Sequence, residues 1–194
     1  MRKKVKIKTT GLSKRSSMIR TQNQLPKVKG ISQKLMIKIN EALINYKNQI
    51  PRYLEVRNNP ESLRVFCSMN RNPLHDITGV KYFSTGLKSR KASKCPSCET
   101  SKDHFIQRTK ALQYIFRDLN NNPDMDVMTF ISLLEKYCST VILTKEEHRN
   151  VTTYGRRNPN MTNVKIYKKL RIKINGLGAW CNKHYIVRVV EKSF

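Results

Sequence analysis

The chain has 194 residues, with 39 Lys and Arg against 13 Asp and Glu, a formal net charge of +26 at pH 7. That length fits one domain, or a small one with appendages, and excludes a large multidomain enzyme; so large a positive excess repels itself and points to a polyanionic partner, nucleic acid first. No run of about 18 apolar residues occurs, and the start, MRKKVKIKTT, lacks the apolar stretch of a secretory signal, so no membrane span is expected and the protein is placed inside the cell.

Residues 1–30 carry ten Lys and Arg and no acid, are interrupted by Gly11, Pro26 and Gly30, and read as a basic flexible arm able to bind phosphates. The spacing of Leu35, Ile39, Ala42, Leu43 and Tyr46 predicts a helix over 32–49, with Ser32 as its N-cap and Pro51 just past its end. A second helix starts at Asn59 and Pro60, with Leu63, Val65, Phe66 and Met69 as its buried side. Pro, Gly, Ser and Lys then dominate 70–100, which reads as a loop-rich β-hairpin region. Helices are expected over 110–119 and 126–137, joined by a turn at Asn120, Asn121, Asn122 and Pro123. The β-branched run 140–143 reads as a buried strand, and Thr144 with Glu147 as a capping box that opens another helix. Residues 155–194 hold ten Lys and Arg against Glu191 alone, with strands expected over 167–174 and 185–190.

Four histidines are available for chemistry: His75, His104, His148 and His184. Asp103 and His104 lie at the edge of a short strand expected over 103–106, and His148 follows Glu147 in the capped helix. If the 103–106 strand pairs with 140–143 and that helix packs across both, Asp103, His104 and His148 converge. Neighbours on a strand face opposite ways, so Asp103 and His104 must have different roles. A carboxylate and a neutral imidazole can hold a divalent ion, and a second imidazole, ordinarily titrating near pH 6.5, can take a proton from water.

Three ordered motifs carry a resemblance: Asp76-Ile-Thr-Gly79, the Asp103-His104 pair, and Val141-Ile-Leu-Thr-Lys-Glu-Glu-His148. Over roughly residues 65–155 the chain resembles the HNH endonucleases with their ββα-metal core, and more narrowly the HNH homing endonucleases of phages and introns. The resemblance implies an α+β fold, an HNH-like core with added helices and basic extensions at both ends. It also implies Mg²⁺ or Mn²⁺ held by Asp103 and His148, His104 as general base, double-stranded DNA as substrate, and the cytoplasm of a bacterial host as the compartment if a phage encodes the chain. The position where the family usually carries Asn or His falls near Ser139, so the group that orients the base is missing or supplied from elsewhere. The division that follows is 1–30 arm, 31–64 helical scaffold, 65–155 nuclease core and 156–194 basic DNA-binding segment.

Cys95 and Cys98 form a CxxC knuckle just before the Asp-His pair. A structural Zn²⁺ needs four ligands, so Cys67, Cys138 or His75 would have to complete it; the alternative is a hairpin turn with two free thiols. The odd total of five cysteines, Cys181 included, argues against a disulfide framework. Arg149, Arg108, Arg156 and Arg157 flank the proposed centre and suit phosphate, since guanidinium pairs with it bidentately. The competing reading is a non-catalytic nucleic-acid-binding protein, ribosome-associated or regulatory, with a zinc knuckle; an RNA-directed nuclease of the same fold is a third.

Overall fold

The Ser32 hydroxyl accepts the Leu35 amide at 3.3 Å and opens the first helix, α1 (Gln33–Asn48), in a computed structural model that describes residues 25–78, 81–158 and 161–179. Its buried stripe is Met36, Ile39, Ala42, Leu43 and Tyr46. Pro51 does not terminate the helical region. It sits in the first turn of α2 (Ile50–Val56), where a missing N–H costs nothing. In α3 (Pro60–Met69) the Asn59 side chain accepts the Glu61 and Ser62 amides at 3.1 and 3.0 Å. The buried face of α3 is Phe66 and Cys67 with Leu63 packed beside them, whereas Val65 and Met69, expected inside, are 52% and 77% exposed. Residues 63, 66 and 67 share one helical stripe and 65 and 69 another, and only the first meets the core.

The expected hairpin over 70–100 is not formed. The segment contains α4 (Arg71–Thr78), a short 3₁₀ turn, β1 (Ser84–Lys88) and two further 3₁₀ turns before β2 (Thr100–His104). β1 and β2 do not pair with each other: both flank β3 (Thr140–Thr144), β1 parallel and β2 antiparallel, in the order β1-β3-β2. The run 140–144 is the most β-branched and apolar of the three, so it takes the centre, with Val141 and Leu143 fully buried. β2 pairs Asp103 with Val141 and His104 with Thr140, which puts the Asp-His pair at the end of β2 rather than at its start.

Between β2 and β3 lie α5 (Arg108–Asn121) and α6 (Val127–Cys138), the latter capped by Asp126, which accepts the Thr129 amide at 2.7 Å. Asn120 and Asn121 belong to the last turn of α5, so the connecting turn starts later than expected. Tyr46, Tyr53, Phe66, Phe116 and Phe130 gather where α1, α2, α3, α5 and α6 meet, with Phe66 and Phe116 centroids 4.9 Å apart.

The capping box forms as expected: Thr144 Oγ1 accepts the Glu147 amide at 3.1 Å, and the Glu147 carboxylate accepts the Thr144 amide at 3.0 Å. It starts α7 (Lys145–Arg157), which packs on both β2 and β3. Residues 167–174 are not a strand. Thr162 caps α8 (Asn163–Lys169), whose buried residues Asn163, Ile166 and Tyr167 fall at helical spacing, and Ile174 makes a single bridge to Ser89. The strand expected over 185–190 lies outside the described residues, as does the arm as far as residue 24; Leu25 and Val28 pack on the core. The fold is α+β, mostly helical, with a three-stranded sheet. The divisions at 64/65 and 155/156 fall within α3 and α7.

Candidate active site

β2 delivers two adjacent side chains to opposite faces, as strand geometry requires. Asp103 turns toward α7 and α8 and is only 6% exposed. Its Oδ1 lies 3.5 Å from His148 Nε2 on α7. Its Oδ2 accepts the Tyr167 hydroxyl in a short hydrogen bond and the Asn163 amide at 3.3 Å, both from α8. Asn163 Nδ2 also donates to the His104 carbonyl at 2.6 Å, tying the end of β2 to α8. Position 148 follows from the capping box: with Thr144 fixed as N-cap, His148 lies one residue beyond N3, on the turn of α7 nearest β2.

His104 faces the other way. Its Nδ1 is 3.0 Å from the carbonyl of Cys138, the last residue of α6. That contact assigns the proton to Nδ1 and leaves the Nε2 lone pair unprotonated. Burial first, then the Arg108 charge, bring the His104 imidazole down to about 4, against an upward pull from the Cys138 carbonyl; His75 and His148 add to the depression. The ring is therefore neutral across the physiological range. Asp103 moves the opposite way: burial raises its carboxyl above the ordinary range, while the Tyr167 hydroxyl, His148 and Asn163 oppose that rise.

The Asp103 and His148 donors suit one divalent ion. Two donors about 2.1 Å from an ion are about 3.0 Å apart at a right angle and about 3.4 Å apart at the tetrahedral angle, close to the observed 3.5 Å. The second carboxylate oxygen is occupied by Tyr167 and Asn163, which fix the orientation of the first. His148 has 37% of its side chain exposed, so the pair opens to solvent on its histidine side. Among the described residues no group of three His, Cys, Asp or Glu is close enough to share an ion. Mg²⁺ usually keeps several waters and needs only one or two protein carboxylates, so a pair is chemically sufficient.

The thiols expected to complete a zinc knuckle are elsewhere. Cys67 and Cys138 are core residues, and burial pushes the Cys67 thiol up to about 12 and raises Cys138 as well. Both lie within electrostatic range of Tyr46 in the helical layer. Cys95 is half-buried, Cys98 is exposed, and His75 is exposed on α4 beside Asp76. Cys181 and His184 lie outside the described residues.

Arg108, the first residue of α5, is half-buried, and burial followed by repulsion from Arg71 of α4 lowers its affinity for a proton. Neither guanidinium has an ion pair or hydrogen bond among the described residues. Arg149, Arg156 and Arg157 lie on the exposed surface of α7. Sequence reasoning missed Asn163, Tyr167 and Arg71. Thr162 before an apolar pair at positions 166 and 167 was a usable signal for α8; nothing local marked Arg71. Comparison of the chain with protein-family models, with curated proteins and with solved structures finds no match.

Proposed function

We propose that the protein is a metal-dependent DNA endonuclease of HNH type, in which β2, β3 and α7 act as a ββα-metal unit. The observation that carries this reading is the Asp103–His148 pair, 3.5 Å apart, on the strand end that also presents a neutral His104 anchored by Cys138. A divalent ion bound by Asp103 and His148 supplies Lewis-acid stabilisation of the charge that develops on the phosphodiester as it breaks.

The remaining steps belong to the chain. His104, on the opposite face of β2 from Asp103 but within electrostatic range of His148, takes a proton from the attacking water at Nε2, and the Cys138 carbonyl stabilises the resulting imidazolium through Nδ1–H. That carbonyl supplies the orienting contact that Ser139 could not. Arg108 and Arg71 repel each other, with Asp103 the acid that acts on Arg108 from a distance, and an anionic phosphodiester bound between them would relieve that repulsion. Exposed Arg149 beside His148 extends the same attraction along the backbone.

The test is cleavage of supercoiled plasmid by purified full-length protein with Mg²⁺ or Mn²⁺. Nicked or linear product is expected, with His104→Ala reducing the rate at least about 100-fold, the usual scale of a lost general base, while DNA binding is retained. Undiminished cleavage by His104→Ala overturns the assignment of the base. Binding without cleavage of DNA or RNA by the wild-type chain supports the non-catalytic reading.

A further inference from the structure

α5 begins at Gln107, its N-cap, and the residues that follow diverge around the helix axis. Arg108 faces the Asp103 and His104 side. Positions 110 and 113 lie on the other side, because residues two apart on a helix are about 200° apart and residues three apart share a face, about 60° from each other. There, between α3 and α5, lies a groove of about 560 Å³ lined by Arg57, Arg64, Lys110, Gln107, Gln113 and Glu61, among others. Three cations face one carboxylate, and that carboxylate sits in the first turn of α3, where it favours the helix dipole.

Arg57 and Arg64 are exposed and make no ion pair or side-chain hydrogen bond among the described residues. In the same structure Arg52 pairs with Glu55 and Arg117 with Asp118, whereas Glu61 pairs with neither groove arginine. The groove borders elements that carry the reaction centre. The Gln107 amide lies against Gly155 of α7. Lys110 is within electrostatic range of Lys165 on α8, the helix whose Asn163 and Tyr167 hold Asp103.

We infer that the α3–α5 groove is a second nucleic-acid subsite, in which Arg57, Arg64 and Lys110 hold the sugar-phosphate backbone of the strand that flanks the bond at Asp103 and His148. This rests on the nuclease reading. The strand leaves the reaction centre at Arg108, crosses the first turn of α5 and enters the groove. Guanidinium pairs with phosphate and the Gln107 and Gln113 amides reach sugar or base edges. The contact is electrostatic and sequence-tolerant, positioning the duplex rather than reading it.

The experiment compares wild-type protein, Arg57→Gln/Arg64→Gln and a charge-matched control, Lys34→Ala/Lys38→Ala, on exposed positions of α1. Affinity for a fluorescent 30-base-pair DNA is followed by anisotropy from about 50 to 200 mM salt, and Mg²⁺-dependent cleavage of the same duplex is followed in parallel. Loss of two phosphate contacts lowers the slope of log affinity against log salt by about 1.8 in the groove variant, with KM raised and kcat preserved. The control keeps the wild-type slope. A groove variant with the wild-type slope, or a control that loses as much, overturns the subsite. Should the double variant fail to melt cooperatively, the single variants Arg57→Gln and Arg64→Gln are each expected to lose about 0.9. Absence of cleavage by wild-type protein defeats the nuclease reading, and the slopes still decide the groove.

Discussion

Removing one oxygen atom from Tyr167 tests how Asp103 is held. The Tyr167 hydroxyl makes the short hydrogen bond to Asp103 Oδ2, whereas Asn163 and His148 stand at 3.3 and 3.5 Å. Tyr167→Phe keeps the ring, which is 1% exposed, and removes the hydroxyl that reaches Asp103. A hydrogen bond to a charged group contributes about 1.5–3 kcal/mol. In a domain of this size each kcal/mol moves Tm by roughly 2–4 °C, so the variant melts roughly 3–12 °C lower at neutral pH. The carboxyl, already raised by burial, loses the largest of the interactions opposing that rise. It therefore protonates at higher pH, and cleavage fails earlier on acidification. Outer-shell partners of metal ligands typically change metal affinity 10–100-fold, so half-maximal cleavage needs about that much more Mg²⁺. Thermal melts and a Mg²⁺ titration of plasmid nicking measure both effects. Wild-type Tm together with a wild-type Mg²⁺ midpoint rules out this role for Tyr167, because a buried carboxylate cannot lose its best donor without consequence.

His104 makes stability depend on acid. Its folded value of about 4 lies below the ordinary 6.5, so the unfolded chain binds the extra proton between those limits. Stability conferred by the neutral ring is complete above pH 6.5 and declines as pH falls, by about 2 kcal/mol at pH 5. Urea unfolding at pH 7 and 5 should show this loss in the wild type and its absence in His104→Gln; equal slopes contradict it. Gly155 lies where α7 meets α8, and a Cβ there would stand 3.0 Å from Gln107 Nε2 and 3.4 Å from Ile166 Cδ1. Gly155→Val overpacks that contact, costs about 1–3 kcal/mol and displaces α8 from Asp103, lowering cleavage as well as Tm; a variant with normal activity contradicts the supporting role given to α8. The Thr140 hydroxyl is buried without a hydrogen-bond partner among the described residues, so Thr140→Val should be neutral or raise stability by up to about 1 kcal/mol in urea.

The elements that were legible in the sequence carried local signals. Ser32, Asn59, Asp126 and Thr144 all cap helices with their side chains, and the capping box at 144–147 placed His148 to the residue. The pairing of the Asp-His strand with 140–143, posed there as the condition for Asp103, His104 and His148 to meet, is also formed. What escaped depended on tertiary context. β1 joins β3 in parallel across more than fifty residues, which turn residues in between cannot announce. Tyr and Ile near position 167 suggested a strand by propensity, but Thr162 and the 163, 166, 167 stripe prevailed because that face meets Asp103. The anchor for His104 is a main-chain carbonyl, a group every residue possesses. The apolar residues of α3 were divided between two stripes, and only packing decides which is buried.

The proposed function stands or falls on whether Asp103 and His148 together bind one divalent ion. An anomalous difference map from crystals grown with Mn²⁺ addresses it directly. A single peak is expected within about 2.0–2.3 Å of both Asp103 Oδ1 and His148 Nε2, lost in Asp103→Ala. A map with Mn²⁺ bound elsewhere and none between these two side chains would contradict it.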